Sequence, residues 1–364
     1  MEPNPQALAE AVTRACAIVQ AEAAAKSPGL SVAVAVNGAV IWSQNFGYAD
    51  LAVKAPVTSS TRFRIGSVSK PFTAAGLALL VERGQIDLDA PVQRYLPDFP
   101  EKSGVITIRR LAGHLSGIRN YRGREALGQG SCPSLRSGLK IFENDPLESE
   151  PGTKFGYSSY NWNVIGAVME SVTGRDFPGY MEDHVFRPLG MANTRADRAE
   201  ADDPQRARFY EQTPAGKLLP APMANYSFVW PAGGFLSTPE DLVRFGSAHL
   251  RPGFLKAESL RFLFTSQKTN EGKATGYGVG WLTNPAAWYH GGDSLGGTAV
   301  LTLLPAVCMV VALASNAGQV GLHNALRRQT APPEAAALVL KKEAVAANIA
   351  RIFAPVYWAP KGSK

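Results

Sequence analysis

A proline set just behind a Ser-x-x-Lys run constrains this chain more than any other feature of its sequence. Residues 63–72 read FRIGSVSKPF and are followed by TAAGLALLVERG, with Phe72, Ala75 and Leu79 at helical spacing and Gly84 placed to end the helix. Proline is tolerated only in the first turn of a helix, where the N–H it lacks would have had no partner. Pro71 therefore pins the helix start to about Ser67 or Val68. Ser67 then sits where free N–H groups and the helix dipole favour negative charge. Lys70 follows three residues on, near the same face, so its amine can approach the Ser67 hydroxyl. A lysine near a positive helix end and inside a cleft titrates low, and its neutral amine is a base. This is a way to build an activated serine.

The rest of the chain indicates what surrounds that helix. Residues 7–25 read as an amphipathic helix, with Leu8, Val12, Ala15 and Val19 on one stripe and a stop at Ser27-Pro28-Gly29. LSVAVAV and AVIWSQNF flank Asn37-Gly38, a strong hairpin signal. Residues 84–230 are helical and loop-rich, and include YNWNVIGAVMESVTG, a helix ending at Gly174. Thr238, Pro239 and Asp241 then open another helix as N-cap, N1 and N3. Strand character returns in YGVGWL, AWYH, AVLTLL and VCMVVALAS, the last two turning at Pro305, and residues 333–354 are again helical. The expected architecture is α+β and one domain over 1–364. An antiparallel sheet half from 1–83 and 231–364 is flanked by terminal helices, with a mostly helical half at 84–230 inserted. A site belongs in the crevice between the halves.

Composition removes several function classes. With 45% hydrophobic and 18% charged residues in 364, the chain is a globular one. No apolar run reaches membrane-spanning length, since residues 299–314 are broken by Pro305. The N-terminus MEPNPQALAEAV lacks a signal peptide's basic and apolar regions, so the expected compartment is the cytoplasm, or the periplasm where a leader has been removed. The net charge of +7 comes from scattered residues without a nucleic-acid motif, and reads as a solvated face. Cys16, Cys132 and Cys308 form neither a disulfide framework nor a zinc pattern, and Cys308 reads as a small buried hydrophobe. No metal or cofactor is expected.

A lone S-x-x-K occurs by chance in many chains. Here two further stretches stand in order behind it: KFGYSSYN, carrying Tyr157-Ser158-Ser159 ahead of a helix, and WYHGGDSLGG, carrying His290-Gly291-Gly292 on a late strand. Serine β-lactamases and penicillin-binding proteins place a second acid/base-bearing loop and a K-T-G strand in these roles. The chain resembles the penicillin-binding-protein-like serine hydrolases, in the branch of class C β-lactamases, D-aminopeptidases and related carboxylesterases. More narrowly it is similar to the bacterial counterparts of the mitochondrial serine β-lactamase-like proteins. The similar stretches also include GYADLAVKAPVTSSTRFRIGSVSK, ERGQIDLDAPVQRYLPDFPEK, ITIRRLAGHLSGIRNY and WPAGGFLSTPEDLVRFG, and they cover most of residues 30–320.

The resemblance implies a β-lactamase/transpeptidase-like fold and a serine hydrolase that needs no cofactor. Ser67 would be the acylated nucleophile and Lys70 its partner. Tyr157 would shuttle a proton to the leaving group, as phenolate or through Lys70. His290 would take the lysine place of K-T-G and contact substrate, with a titration of its own expected near pH 6 to 7. The oxyanion hole would be the N–H groups of Ser67 and Asp293, with Gly292 letting a peptide-like substrate lie on the strand edge. Ser159 stands where the family often has asparagine, and His290 where it often has lysine. Both departures weaken a β-lactamase reading and suit a peptidase or esterase acting on a small-molecule or peptide substrate. The remaining readings are a true β-lactamase and an assembly-forming protein with a relict site, since the resemblance admits self-assembly.

Other candidates carry less. Gly292-Asp293-Ser294-Leu295-Gly296 fits G-x-S-x-G, but no acidic residue lies between Ser294 and His323, so the elbow of an α/β-hydrolase is not formed. His114 reads as a loop-fixing hydrogen-bonding residue, and His184, His249 and His323 as surface or packing residues. The glycines of GYGVGW lack dinucleotide-binding spacing.

Overall fold

A computed structural model describes residues 4–123, 125, 132, 134–213, 215–222, 224–319 and 333–357. Seven strands form its main sheet: β1 (Gly29–Val36), β2 (Ala39–Asp50), β3 (Ala55–Pro56), β4 (Leu282–Thr283), β5 (Trp288–Ser294), β6 (Gly297–Leu304) and β7 (Met309–Ser315). Their order is β3-β2-β1-β7-β6-β5-β4, with every neighbouring pair antiparallel. The sheet is therefore assembled from both ends of the chain, with β1 against β7 in the middle (Leu30 opposite Ser315, Val36 opposite Met309). Asn37 and Gly38 both take positive φ, as a tight hairpin requires. At Pro305 the chain makes one 3-10 turn between β6 and β7.

Both faces of the sheet are covered, which is why β1 and β7 read as near-continuous apolar runs. Leu30, Val32, Val34, Met309, Val311 and Leu313 meet α1 (Pro5–Lys26) and the C-terminal helix α5 (Pro333–Tyr357), through residues such as Ala15, Val19, Ile349 and Phe353. The alternate residues Ala33, Ala35, Val310, Ala312 and Ala314 join the larger core. That core also takes α2 (Ser69–Glu82), α3 (Ser159–Thr173) and α4 (Pro239–Ala248). Thr238 caps α4, accepting from Asp241 N at 3.2 Å with Pro239 in the first turn, and α3 ends at Gly174 with φ 65°.

Three expectations change. YGVGWL is not a strand until its last residue: Gly276 and Gly280 take positive φ and fold 276–281 into a tight loop before β4. The stretch 84–230, read as mostly helical and loop-rich, also holds short strands at Arg195–Ala196, Tyr210–Gln212 and Leu218–Pro220, which join two small three-stranded sheets. Cys308 is half-buried, at φ 48° in the turn, with its sulfur accepting from Arg251 at 3.3 Å. Its turn, not its apolar flanks, sets its environment. His323 lies outside the described residues.

Candidate active site

Ser67 lies in a 3-10 turn, Gly66–Val68, that leads directly into α2, and Pro71 is the third residue of the helix. The first turn of α2 is tied to the segment 230–235. Thr73 Oγ1 donates to Pro231 O at 2.7 Å and Phe235 N donates to Ser69 Oγ at 3.3 Å. Lys70 is fully buried there. Its Nζ lies 2.8 Å from Ser67 Oγ, 3.2 Å from Ser159 Oγ and 2.8 Å from Ala232 O. Burial holds its amine well below the ordinary lysine range. A neutral amine keeps two N–H groups, which suit Ala232 O and Ser159 Oγ, and leaves a lone pair for the Ser67 hydroxyl.

Tyr157 stands on the other side of the serine. Its ring lies 4.9 Å from Lys70 Nζ, and 37% of the residue is exposed, so the position is open to a substrate. Burial of its surroundings raises the phenol's pKa, opposed by a hydrogen bond with Ser67. The resting phenol is therefore protonated. Ser159, the first residue of α3, accepts from Lys70, and its N–H donates to Asn120 Oδ1 at 3.1 Å.

The third element is β5. Among the described residues, β4 pairs with β5 at Trp288 and Tyr289, and β5 also runs against the Gly66–Val68 turn. Two glycines permit the approach. A β-carbon on Gly292 would run into Ile65 O and sit 3.0 Å from Ser67 N. One on Gly66, at φ 49°, would lie 2.7 Å from Asp293 N. The two backbones are thus in close contact, with Ser67 N and Asp293 N both at the seam between them. Ser294 instead donates to Gly297 O at 3.2 Å inside the β5–β6 turn.

His290 departs from its expected part. Its ring is buried, Nδ1 is 2.6 Å from Gly291 O and Nε2 is 3.1 Å from Tyr277 Oη. Burial and the nearby charge of Lys70 lower its pKa to about 3. A titration near pH 6 to 7 is therefore corrected to a ring that stays neutral, because its desolvation outweighs the hydrogen bond to Gly291 O. His114 is fixed as expected, its Nδ1 accepting from Ser158 N at 3.1 Å. It also packs under Tyr157, with ring centroids 4.3 Å apart. His249 is buried against Phe245, and His184 packs on Tyr180.

Sequence reasoning missed Tyr277, Tyr121 and the Ala232 carbonyl. Tyr121 hydrogen-bonds Ser159, and burial raises its phenol's pKa. The family-like stretch HLSGIRNY contains it, but nothing in its spacing marks its side chain. Among the described residues, no cluster of His, Cys, Asp and Glu is arranged to hold a metal ion.

The fold is that of the β-lactamase and penicillin-binding-protein class, whose members include serine hydrolases. The β-lactamase family model matches residues 16–331, and the chain belongs to that family. It is 29% identical over 378 residues to the human mitochondrial serine beta-lactamase-like protein LACTB, covering 77% of this chain and 69% of that one. The octameric penicillin-binding protein homologue from Pyrococcus abyssi superposes with TM-score 0.73 at 25% identity, covering 84% and 73%. A D-stereospecific amidohydrolase from Streptomyces gives 0.70 at 25%, covering 86% and 95%.

Proposed function

We propose that this chain forms an acyl-enzyme at Ser67 and hydrolyses peptide-like amides or small esters whose recognised part is uncharged. The observation that carries the reading is Lys70: a fully buried amine 2.8 Å from Ser67 Oγ, whose polar neighbours are neutral oxygens. The amine takes the Ser67 proton as Oγ attacks the carbonyl carbon. The carbonyl π pair moves onto oxygen between the Ser67 and Asp293 N–H groups. Collapse breaks the bond to the leaving group, which takes a proton through Tyr157. Water then adds to the acyl-enzyme, and the reverse proton path frees Ser67.

Neutral His290 in the lysine place supports esters and amides over ligands gripped by a carboxylate, and the likeness to an amidohydrolase supports amides. Intact-mass analysis with a fluorophosphonate probe tests the reading. One adduct is expected, lost in Ser67→Ala and kept in Ser294→Ala; an adduct that survives Ser67→Ala overturns it. Turnover of p-nitrophenyl butyrate, D- and L-aminoacyl anilides and nitrocefin then ranks the substrates. Nitrocefin ahead by about tenfold in kcat/KM would make the chain a β-lactamase. The octameric archaeal relative favours a second reading, self-assembly. An unlabelled wild-type chain that runs as a large oligomer in native mass spectrometry would support that reading alone.

A further inference from the structure

Two buried rings behind the site, Tyr277 and His290, have no part in the chemistry above. Tyr277 comes from the tight loop before β4 and is fully buried. Among the described residues, its hydroxyl hydrogen-bonds to His290 Nε2 at 3.1 Å. The other ring nitrogen of His290 fixes the direction of that bond. Gly291 O, 2.6 Å from Nδ1, can only accept, so Nδ1 carries the proton. Nε2 of the neutral ring is then a lone pair, and the Tyr277 O–H donates to it. Protonating Nε2 would leave the Tyr277 hydroxyl proton without an acceptor in a buried site.

We propose that Tyr277 is a positioning residue that keeps the Nε2 lone pair of His290 occupied, and so makes the third element of the site uncharged and selective against substrate carboxylates. This rests on the hydrolase reading of the site. The groups facing His290 from other elements agree with it. Lys70 on α2 is cationic or neutral but never an anion, Tyr157 faces it at 6.4 Å between ring centroids, and His114 is itself neutral. The His114 ring also meets the Tyr277 ring at 64° and 4.7 Å. The tyrosine is thus held from both sides, and its hydroxyl has little room to turn away.

The test uses the full chain with ¹⁵N-labelled histidine. In wild type, the His290 Nε2 resonance is expected to stay at its neutral position from about pH 8 down to about pH 4.5. In Tyr277→Phe its protonation should move up by about one pH unit or more, since the neutral form has lost its donor. His290→Gln assigns the signal by removing it. In turnover at pH 8, Tyr277→Phe should leave the rate for p-nitrophenyl hemisuccinate relative to p-nitrophenyl butyrate unchanged, whereas His290→Lys, which charges the third element, should raise it about threefold or more. The same titration in variant and wild type overturns the proposal. So does a wild-type His290 that titrates at about pH 6 to 7, whether or not the variant folds. The spectra need no turnover, so an inactive wild-type enzyme would count against the hydrolase reading and leave this one standing.

Discussion

When Lys70 is charged, its three N–H groups point at two serine hydroxyls and one carbonyl. Those oxygens satisfy its hydrogen bonds but do not neutralise it, and the full cost of desolvation falls on the ammonium form. The sign of the pH dependence follows. In the proposed reaction the neutral amine is the base, so activity should be absent in acid, rise through the depressed Lys70 pKa and level off above it. Because Tyr157 is protonated at rest and hydrogen-bonded to Ser67, that transition belongs to the Lys70–Tyr157 pair and not to either group alone. His290 should add no limb near pH 6 to 7 in wild type. Lys70→Met should lower kcat/KM by about 10²–10⁴-fold and Tyr157→Phe by about 10²-fold, with Tm little changed. A wild-type pH–rate profile that falls toward alkaline pH would remove Lys70 as the base.

The approach of β5 to the turn before α2 would set the proposed oxyanion pair, and it depends on the absence of two β-carbons. Gly292→Ala puts a methyl against Ile65 O and beside Ser67 N, so strand and turn must separate. The expected result is a fall in kcat of about 10²–10³-fold, with the Ser67 probe adduct slowed in parallel. Wild-type turnover in Gly292→Ala would show that the two N–H groups do not act together. Local rules made many elements legible in sequence. Pro71 fixed a helix start, Asn37-Gly38 a hairpin, Pro305 a turn, Gly174 a helix end and Thr238 a cap, each acting within a few residues. The Ser67–Lys70 pair was legible for the same reason. The loop at 276–281 and the ring cluster of His114, Tyr157, Tyr277 and His290 were not. Their partners lie on different elements, and no sequence period records a contact made across the fold. The neutral state of His290 was illegible too, because desolvation exists only once the core has closed.

At the scale of the whole molecule, three of the four histidines among the described residues, His114, His249 and His290, are buried and held neutral. Each has a folded pKa below its unfolded value near 6.5. As pH falls through that window the unfolded chain takes up protons that the folded chain refuses, and stability drops. Glu343, raised by burial to about 7, works the other way over part of the range, so the total slope is a mixture. A single group can still be isolated by difference. His249 packs against Phe245, Phe254 and Trp281, outside the Ser67–Lys70 contacts, and burial lowers its pKa to about 4. Its Nδ1 donates to Phe245 O at 2.7 Å, and a glutamine in its place carries no group that titrates in this range. Urea unfolding of wild type and His249→Gln should therefore give a stability difference that changes with pH. Relative to the variant, wild type should lose about 1 kcal/mol per pH unit between roughly pH 6 and pH 4.5, and almost nothing between pH 7.5 and pH 9. A constant offset on its own would report only lost packing. If the difference shows no pH dependence, His249 is protonated alike in both states, and the closed core at the end of α4 admits enough water to solvate its charge.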